Sequence, residues 1–143
     1  MSKKIKAILL IDDDPDDQLL FQEALSEADT SVTYLSAFNG MDALEKLNSG
    51  VVPIPDLIFM DMNMPRMNGL DCLKELKKNE WLKAIAVTMY STSGTSGQRQ
   101  ECFENGAIGY IAKPSDFWQL RDMLKQILTE GPDTLKNNTL VKL

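Results

Sequence analysis

Two short apolar runs in the first half of the chain end in aspartate. Asp12 and Asp13 follow Ala7–Ile11, and Asp61 follows Leu57–Met60. The carboxyl ends of neighbouring parallel strands meet at one edge of a sheet, so we expect these carboxylates to lie close together. Clustered carboxylates repel one another unless a cation lies among them. The pattern therefore predicts a shared site for a divalent metal ion and a phosphate group.

Such a site has a defined chemistry. Mg²⁺ prefers oxygen ligands and binds through one or two carboxylates, waters and phosphate oxygens, and Mn²⁺ is an alternative. The metal ion neutralises charge on a transferring phosphoryl group, and an aspartyl carboxylate can accept that group covalently. The nearby Asp16 and Asp17 are interpreted differently, as acids that only favour the positive end of a helix.

Two later apolar runs end in a hydroxyl and an amine. Ser91 follows Val87–Tyr90, and Lys113 follows Tyr110–Ala112. The next residue is proline, which restricts the backbone of Lys113, and its ammonium can pair with a carboxylate or a phosphoryl oxygen. Either residue alone is typical of an ordinary surface position. The hypothesis depends on the whole set of strand ends.

The elements that position these residues alternate five times along the chain. The predicted strands are Ala7–Ile11, Val32–Ala37, Leu57–Met60, Ile85–Tyr90 and Tyr110–Ala112. The predicted helices are Pro15–Ala28, a helix capped by Asn39 and ended by Ser49-Gly50, Gly69–Lys78, about Ser96–Asn105, and a helix capped by Ser115 and ended by Gly131-Pro132. Five βα units predict an α/β fold with a parallel sheet, which we interpret as a flavodoxin-like (βα)5, doubly wound sheet with helices on both faces. The strand order 2-1-3-4-5 would place the acids at the topological switch point.

Composition narrows the classes of function. The 143 residues fit one domain, and a net charge of −6, from 15 basic and 21 acidic residues, argues against direct nucleic-acid binding. The absence of histidine excludes histidine catalysis and histidine-ligated zinc. Cys72 and Cys102 are predicted to be buried and reduced. No run approaches the ~18 apolar residues of a membrane span, so we expect a cytoplasmic protein without membrane contact.

These motifs together resemble the receiver domain of bacterial two-component response regulators. The matching stretches are ILLIDDDPDD at 8–17, PDLIFMDMNMPRMNGLD at 55–71, Ser91-Thr92, and GYIAKP at 109–114. Their order and spacing make the match specific: 30 residues separate Asp61 from Ser91, and 22 separate Ser91 from Lys113. The resemblance covers 4–130. The tail, 131–143, is too short for an output domain, so we expect a single-domain response regulator.

The resemblance implies a role for each residue of the acidic edge. Asp61 is the expected phosphoacceptor. Asp12 and Asp13 are expected to position Mg²⁺, with Asp13 the direct ligand of the pair. Asn63 is expected to lend the metal its backbone carbonyl, while its side chain influences the lifetime of the phosphoryl group.

The resemblance also assigns the later strand ends. Ser91 is the expected switch hydroxyl, which hydrogen-bonds a phosphoryl oxygen, and family spacing favours it over Thr88. Lys113 is expected to pair with the phosphate, and its peptide bond to Pro114 is usually cis in the family. Tyr110 is the expected aromatic switch, which turns inward when the hydroxyl is engaged.

Partners follow from the same resemblance. A histidine kinase or a histidine phosphotransfer protein is the expected donor, and an unknown protein is expected downstream, so the chain is not expected to be an enzyme beyond slow self-dephosphorylation. The expected output face comprises helix 4, strand 5 and helix 5. Expected contacts there are Gln98, Arg99, Asp116 and Arg121, with Trp118 either exposed or tucked in. A monomer and a phosphorylation-dependent dimer both stay open.

Three other interpretations were weighed. Asp12, Asp14, Asp16 and Glu23 match ligand positions of a calcium-binding EF-hand loop, but Asp17 stands where the sharp turn needs glycine. A phosphohydrolase using Asp12 and Asp14 would usually need a larger chain with a substrate cap. A receiver fold kept as a binding module without phosphorylation stays open.

Overall fold

Five parallel strands form one sheet in the order β2-β1-β3-β4-β5. The computed structural model of the chain describes residues 4–137. The strands are β1 (Ala7–Ile11), β2 (Thr33–Ala37), β3 (Leu57–Met60), β4 (Ala86–Ser91) and β5 (Gly109–Ala112). This order confirms the predicted flavodoxin-like fold and places the carboxyl ends of β1 and β3 side by side.

Five helices connect the strands and cover both faces of the sheet. They are α1 (Pro15–Ala28), α2 (Gly40–Ser49), α3 (Gly69–Lys78), α4 (Ser96–Glu104) and α5 (Phe117–Glu130). The predicted N-cap of α2 is confirmed, because the Asn39 side chain accepts a hydrogen bond from the Asp42 amide. The predicted cap of α5 is wrong by one residue. Asp116 takes that place rather than Ser115, because its carboxylate accepts the hydrogen bond from the Gln119 amide.

The two faces of the sheet bury chemically different clusters. The first, which we name the aromatic face, lies under α1 and α5 and contains Phe21, Phe59 and Tyr90. The second, the methionine face, lies under α2, α3 and α4. It buries Met60, Met62, Met64, Met89, Cys72, Cys102 and Tyr110. Because strand side chains alternate between the faces and both faces are covered, the strands are apolar along their whole length.

Both cysteines are buried and unpaired, as the sequence predicts. Cys72 lies in α3 and Cys102 in α4. Burial raises the pKa of the Cys72 thiol to about 12, so this thiol stays protonated at neutral pH. The two residues therefore act as small core side chains.

A short 3-10 helix, Pro132–Asn137, follows α5. Leu135 is buried, and it packs so closely on the start of β5 that a Cβ on Gly109 would lie 3.1 Å from the Leu135 Cβ. The first part of the predicted tail is therefore an ordered extension, and 138–143 lie outside the described residues. The domain boundary after residue 130 stays a prediction. Within residues 4–137, no helix is long and apolar enough to cross a membrane.

Candidate functional site

Three carboxylates meet at the carboxyl edge of β1 and β3. The strand pairing of Ile11 with Met60 brings the next residues of both strands to one level. Carboxylate oxygens of Asp12, Asp13 and Asp61 all lie within 4.8 Å of one another. Asp12 and Asp61 are buried, and Asp13 is exposed, so the group opens toward solvent on one side.

Lys113 is the cation of this site. Its Nζ lies 2.8 Å from Asp12 Oδ2, 2.8 Å from Asp17 Oδ2 and 3.7 Å from Asp61 Oδ2. Its side chain is only 10% exposed, so solvent screens these ion pairs weakly. The structure therefore brings the predicted lysine to the predicted acids.

The earlier interpretation of Asp17 as a helix-end acid is incomplete. Asp14 is the N-cap of α1, and its Oδ1 accepts from the amides of Asp16 (2.9 Å) and Asp17 (3.4 Å). The Asp17 side chain itself binds Lys113, 96 positions away along the chain. This pair depends on how α1 and β5 pack, so no local sequence signal could have identified it.

The site has an excess of negative charge. Burial, above all, raises the pKa of Asp61 to about 6; Lys113 opposes this shift, and Asp12 and Asp13 add to it. Burial likewise raises the pKa of Asp12. Burial alone would lower the pKa of Lys113, but hydrogen bonds to Asp12 and Asp17 outweigh it and raise that pKa. One lysine does not neutralise these acids, and the all-oxygen donor set suits Mg²⁺ or Mn²⁺.

The hydroxyl of Ser91 lies at the end of β4, on the same edge of the sheet. Ser91 is buried, and its Oγ accepts a hydrogen bond from the Ser93 amide at 3.4 Å. The Asn63 amide donates to Asp61 Oδ1 at 3.4 Å, and Asn63 Nδ2 donates to Ser93 Oγ at 2.8 Å. Thr88, the alternative hydroxyl, is buried within β4 and donates to the Met89 carbonyl at 3.2 Å.

Tyr110 already points inward in this structure. Its side chain is 1% exposed, and its hydroxyl donates to the Ser93 carbonyl at 2.7 Å. The peptide bond between Lys113 and Pro114 is trans, so the cis bond implied by the family resemblance is wrong here. Arg99, expected on the output face, instead has its guanidinium over the Tyr110 ring.

The other residues expected on the output face divide into two kinds. Gln98 and Asp116 are engaged in helix caps, Gln98 in a capping box at the start of α4. Trp118 is 58% exposed, and Arg121 lies over its ring while pairing with Asp122. Trp118 and Arg121 therefore remain available on the surface.

Gln18 was not identified from the sequence. It is a buried amide whose Nε2 donates to the carbonyls of Leu10 (3.4 Å), Asp12 (3.0 Å) and Ala37 (3.0 Å). Its Oε1 accepts from the Tyr34 hydroxyl. Gln18 thus ties α1 to the ends of β1 and β2, and it fixes the backbone at one of the acids.

Gly69, the first residue of α3, lies where no side chain would fit. A Cβ at this position would lie 2.3 Å from the Asp61 carbonyl oxygen and 2.9 Å from the Met62 Cα. The Gly69 amide donates to the Met62 carbonyl at 2.9 Å. The first residue of α3 therefore packs directly on the backbone of the acidic strand end.

The calcium-loop interpretation does not fit this geometry. An EF-hand loop lies between two helices, whereas β1 precedes Asp12. Asp14 is occupied as a helix cap, and Asp12 is paired with Lys113. The acids of this segment therefore have two different structural roles: Asp14 caps a helix, and Asp12 pairs with a lysine.

Comparison with known proteins decides the family. A family model described as the response regulator receiver domain matches residues 8–125. The chain belongs to this family. Sporulation initiation phosphotransferase F of Bacillus subtilis is 33% identical over 122 residues, which are 85% of this chain and 92% of that protein. The receiver domain described here is therefore a member of the phosphorelay signalling proteins.

Solved receiver structures share the fold. The Mn²⁺-bound form of response regulator Rcp1 has a TM-score of 0.77 and 29% identity, and the match covers 94% of this chain and 98% of that one. The phosphorylated cyanobacterial phytochrome response regulator RcpA also has a TM-score of 0.77, with 31% identity and coverage of 85% and 90%. Receiver domains bind Mg²⁺ or Mn²⁺ at an acidic pocket, and the acids of this chain form such a pocket.

Receiver domains are also parts of longer proteins. The protein-glutamate methylesterase/protein-glutamine glutaminase of Bacillus licheniformis is 33% identical over 135 residues, which are 90% of this chain. This chain spans only 37% of that relative, and 53% and 15% of two further curated relatives. The activities of those whole proteins therefore do not transfer to this receiver.

Proposed function

We propose that Asp61 accepts a phosphoryl group in a Mg²⁺-dependent step and that the modified receiver changes its protein partners. The observation that supports this proposal is the position of Asp61. Its buried carboxylate lies with two other acids inside 4.8 Å and 3.7 Å from the ammonium of Lys113. A nucleophile, a metal-binding donor set and a cation for the phosphoryl oxygens thus lie side by side.

The donor set fits the metal ion. Oxygens of Asp12, Asp13 and Asp61, with the backbone carbonyl of Asn63, would hold Mg²⁺ or Mn²⁺. When bound, the metal ion supplies positive charge against the carboxylates and the phosphoryl oxygens. The pKa values of Asp12 and Asp61 are raised, chiefly by burial and to a smaller extent by neighbouring carboxylates, so a cation bound among these acids would favour their charged forms.

The bonds that form and break in the transfer involve only Asp61 and the donor. An oxygen of Asp61 attacks phosphorus, the new O–P bond forms, and the bond from phosphorus to the donor's imidazole nitrogen breaks. The electron pair of that bond stays on the imidazole. Lys113 then exchanges part of its contact with Asp17 for a phosphoryl oxygen, and the Ser91 hydroxyl donates to another.

The donor and the reader are proteins. Because this chain contains no histidine, the phosphohistidine must come from a kinase or a phosphotransfer protein. The phosphoryl group adds negative charge next to Lys113 and Ser91, whose side chains can move toward it. It should therefore shift the equilibrium between two arrangements of the loop after β4. The face of α4, β5 and α5, with Trp118 exposed and the half-buried Arg121 over its ring on α5, is the proposed reading surface.

Intact-mass spectrometry tests the proposal. The protein is incubated with acetyl phosphate and Mg²⁺, and wild type should gain the mass of one phosphoryl group, which hydroxylamine removes. Asp61→Asn should gain nothing. Asp16→Asn is the matched control, because Asp16 is an exposed acid of the same segment, and it should be labelled like wild type. No gain in wild type would favour a binding module, and a gain that persists in Asp61→Asn would refute Asp61 as the phosphoacceptor.

A further inference from the structure

Arg99 has an unusual environment for a charged residue on an outer helix. Its guanidinium carbon lies 5.2 Å from the centroid of the Tyr110 ring. Its Nε is buried and has no hydrogen-bond partner among residues 4–137. A long cationic side chain normally extends its polar end into water, because a buried N–H without an acceptor is unfavourable. The attraction of the cation to the ring face is the contact that offsets this cost.

The Tyr110 ring is held from several sides. Its hydroxyl donates to the Ser93 carbonyl at 2.7 Å. A Cβ on Gly94 would lie 2.3 Å from that hydroxyl, and Gly94 has a φ of +149°, so only glycine leaves room for the ring. Arg99 covers the ring from α4. These contacts hold the ring in its inward position.

Ser93 connects this ring to the acidic site. Its amide donates to Ser91 Oγ at 3.4 Å, and its own Oγ accepts from Asn63 Nδ2 at 2.8 Å. Its carbonyl accepts from Tyr110. All three polar groups of Ser93 are thus used, one toward the switch hydroxyl, one toward the loop beside Asp61, and one toward the ring.

Few apolar contacts hold α4 itself. Cys102 is the single fully buried residue of α4, whereas five residues of α3 are buried. A helix with so little apolar burial depends more strongly on individual contacts. The contact between Arg99 and Tyr110 is therefore a principal connection between α4 and the loop after β4.

We propose that Arg99 is a positioning residue, which holds Tyr110 inward in the unmodified protein and thereby fixes the Ser91–Ser93 segment for the incoming phosphoryl group. The consequence for phosphorylation rests on the proposed function, but the effect on the ring does not. On this proposal Arg99 shifts the Tyr110 ring toward its inward position independently of phosphorylation.

The test compares substitutions that separate charge from size. Arg99→Met keeps most of the length without the charge, and Arg99→Lys keeps a cation. Gln100→Ala is the control, because Gln100 is the exposed next residue of α4. The protein is labelled with fluorotyrosine, and the Tyr110 resonance is assigned by its loss in Tyr110→Phe. Fluorine NMR then reports the ring in metal-free, unmodified protein.

In Arg99→Met we expect the ratio of inward to outward ring to fall by about two- to thirtyfold, the range of one cation–π contact. The resonances of Tyr34 and Tyr90 should not move, and Arg99→Lys should restore most of the inward population. Beryllofluoride with Mg²⁺, a phosphoryl mimic, should bind Arg99→Met more weakly by up to the same factor, because the competent fraction is smaller.

An unchanged Tyr110 resonance in Arg99→Met would overturn the proposal. If Arg99→Met does not fold, Arg99→Gln, a polar variant that also lacks the charge, replaces it, and an unchanged Tyr110 resonance in that variant would overturn the proposal in the same way. A displaced ring with unchanged beryllofluoride affinity would refute the link to the loop. If wild type binds no beryllofluoride, the phosphoacceptor function fails, while the NMR result still judges the role of Arg99.

Discussion

Helices cover both faces of the sheet, but the side chains buried beneath them differ between the two faces. On the aromatic face, Phe21, Phe59 and Tyr90 form three edge-to-face contacts, with centroids 5.0–5.7 Å apart. Such pairs have preferred geometries and stiff side chains. On the methionine face, Met60 and Met89 occupy the equivalent strand positions. Methionine is unbranched and flexible, and it fills irregular space with little directional preference.

This difference indicates where the molecule can change. Tyr110 and α4, the parts connected to the loop after β4, both belong to the methionine face. The aromatic face contains α1, which supplies Asp17 and Gln18 to the site. We infer that the aromatic face holds the acids in place, while the methionine face can rearrange around a modified Asp61.

The largest expected effect comes from breaking the aromatic face. Phe21→Ala removes all three ring contacts of Phe21, with Phe59, Tyr90 and Tyr34. We expect it to lower the free energy of unfolding by about 3–5 kcal/mol, as measured by urea denaturation. Because this face is inferred to hold the acids in place, phosphorylation by acetyl phosphate should also slow, per folded molecule. A wild-type rate in the folded variant would contradict that role of the aromatic face.

The next effect concerns Asp61, at the edge that both faces share. Its pKa of about 6 lies above the ~3.9 of an unfolded aspartate, so the folded state binds more protons between these values. Its contribution to stability is therefore full below about pH 4 and is lost as pH rises through 6. In metal-free buffer at pH 7, Asp61→Asn should be more stable than wild type by about 2–3 kcal/mol.

The pH dependence of this difference is the decisive measurement. Denaturation of both proteins in chelator should give stability curves that converge below about pH 4, diverge between about pH 4 and 6, and keep a constant separation at higher pH. Mg²⁺ should then stabilise wild type and leave Asp61→Asn nearly unchanged. A constant difference between about pH 4 and 6 would mean that burial of the charge is not its cause.

Much of the fold was predictable because its signals are local. Short segments are enough to identify an apolar strand without alternation, a helix cap such as Asn39 or a helix end such as Gly50. Strand order is different, since it depends on contacts distant in sequence; the order 2-1-3-4-5 was a hypothesis, supported by the acids at the ends of two strands. The cap at Asp116 was missed because Ser115, one residue earlier, is an equally good capping residue.

The site was predictable in part for a similar reason. Asp12, Asp61 and Lys113 each end a strand, and strand ends share one edge, so their meeting follows from the fold. Asp17 and Gln18 lie inside a helix, and their roles depend on which face of α1 meets the ends of β1, β2 and β5. That orientation is set by packing and not by any local pattern.

A smaller effect is expected from Gln18, which links the aromatic-face helix to the acids. Gln18→Leu removes three donated hydrogen bonds, although the Ala37 carbonyl keeps the Asp12 amide as a partner. We expect a loss of about 1–3 kcal/mol in unfolding free energy and weaker Mg²⁺ binding. Gln22→Leu, an exposed glutamine on the same helix, is the control and should change neither. Equal effects of both substitutions would refute the anchoring role.

The smallest effect tests the adaptability of the methionine face. Met89→Leu keeps volume and apolar character, and we expect a change below about 1.5 kcal/mol in unfolding free energy. Phe21→Leu, the corresponding change on the aromatic face, should cost more because it removes edge-to-face pairs. Thermal or urea unfolding of the two variants measures the contrast directly. Equal costs would show that the two faces are equally rigid.

The close packing of Gly69 on Asp61 limits which substitutions position 69 can tolerate. Every other amino acid carries a Cβ, and a Cβ here would meet the Asp61 carbonyl at 2.3 Å. Position 69 should therefore tolerate substitution poorly, although glycine has no side chain to take part in chemistry. If Asp61 accepts the phosphoryl group as proposed, a saturation library screened for signalling should lose function at both positions, at 61 because the reacting group is removed and at 69 because a Cβ does not fit.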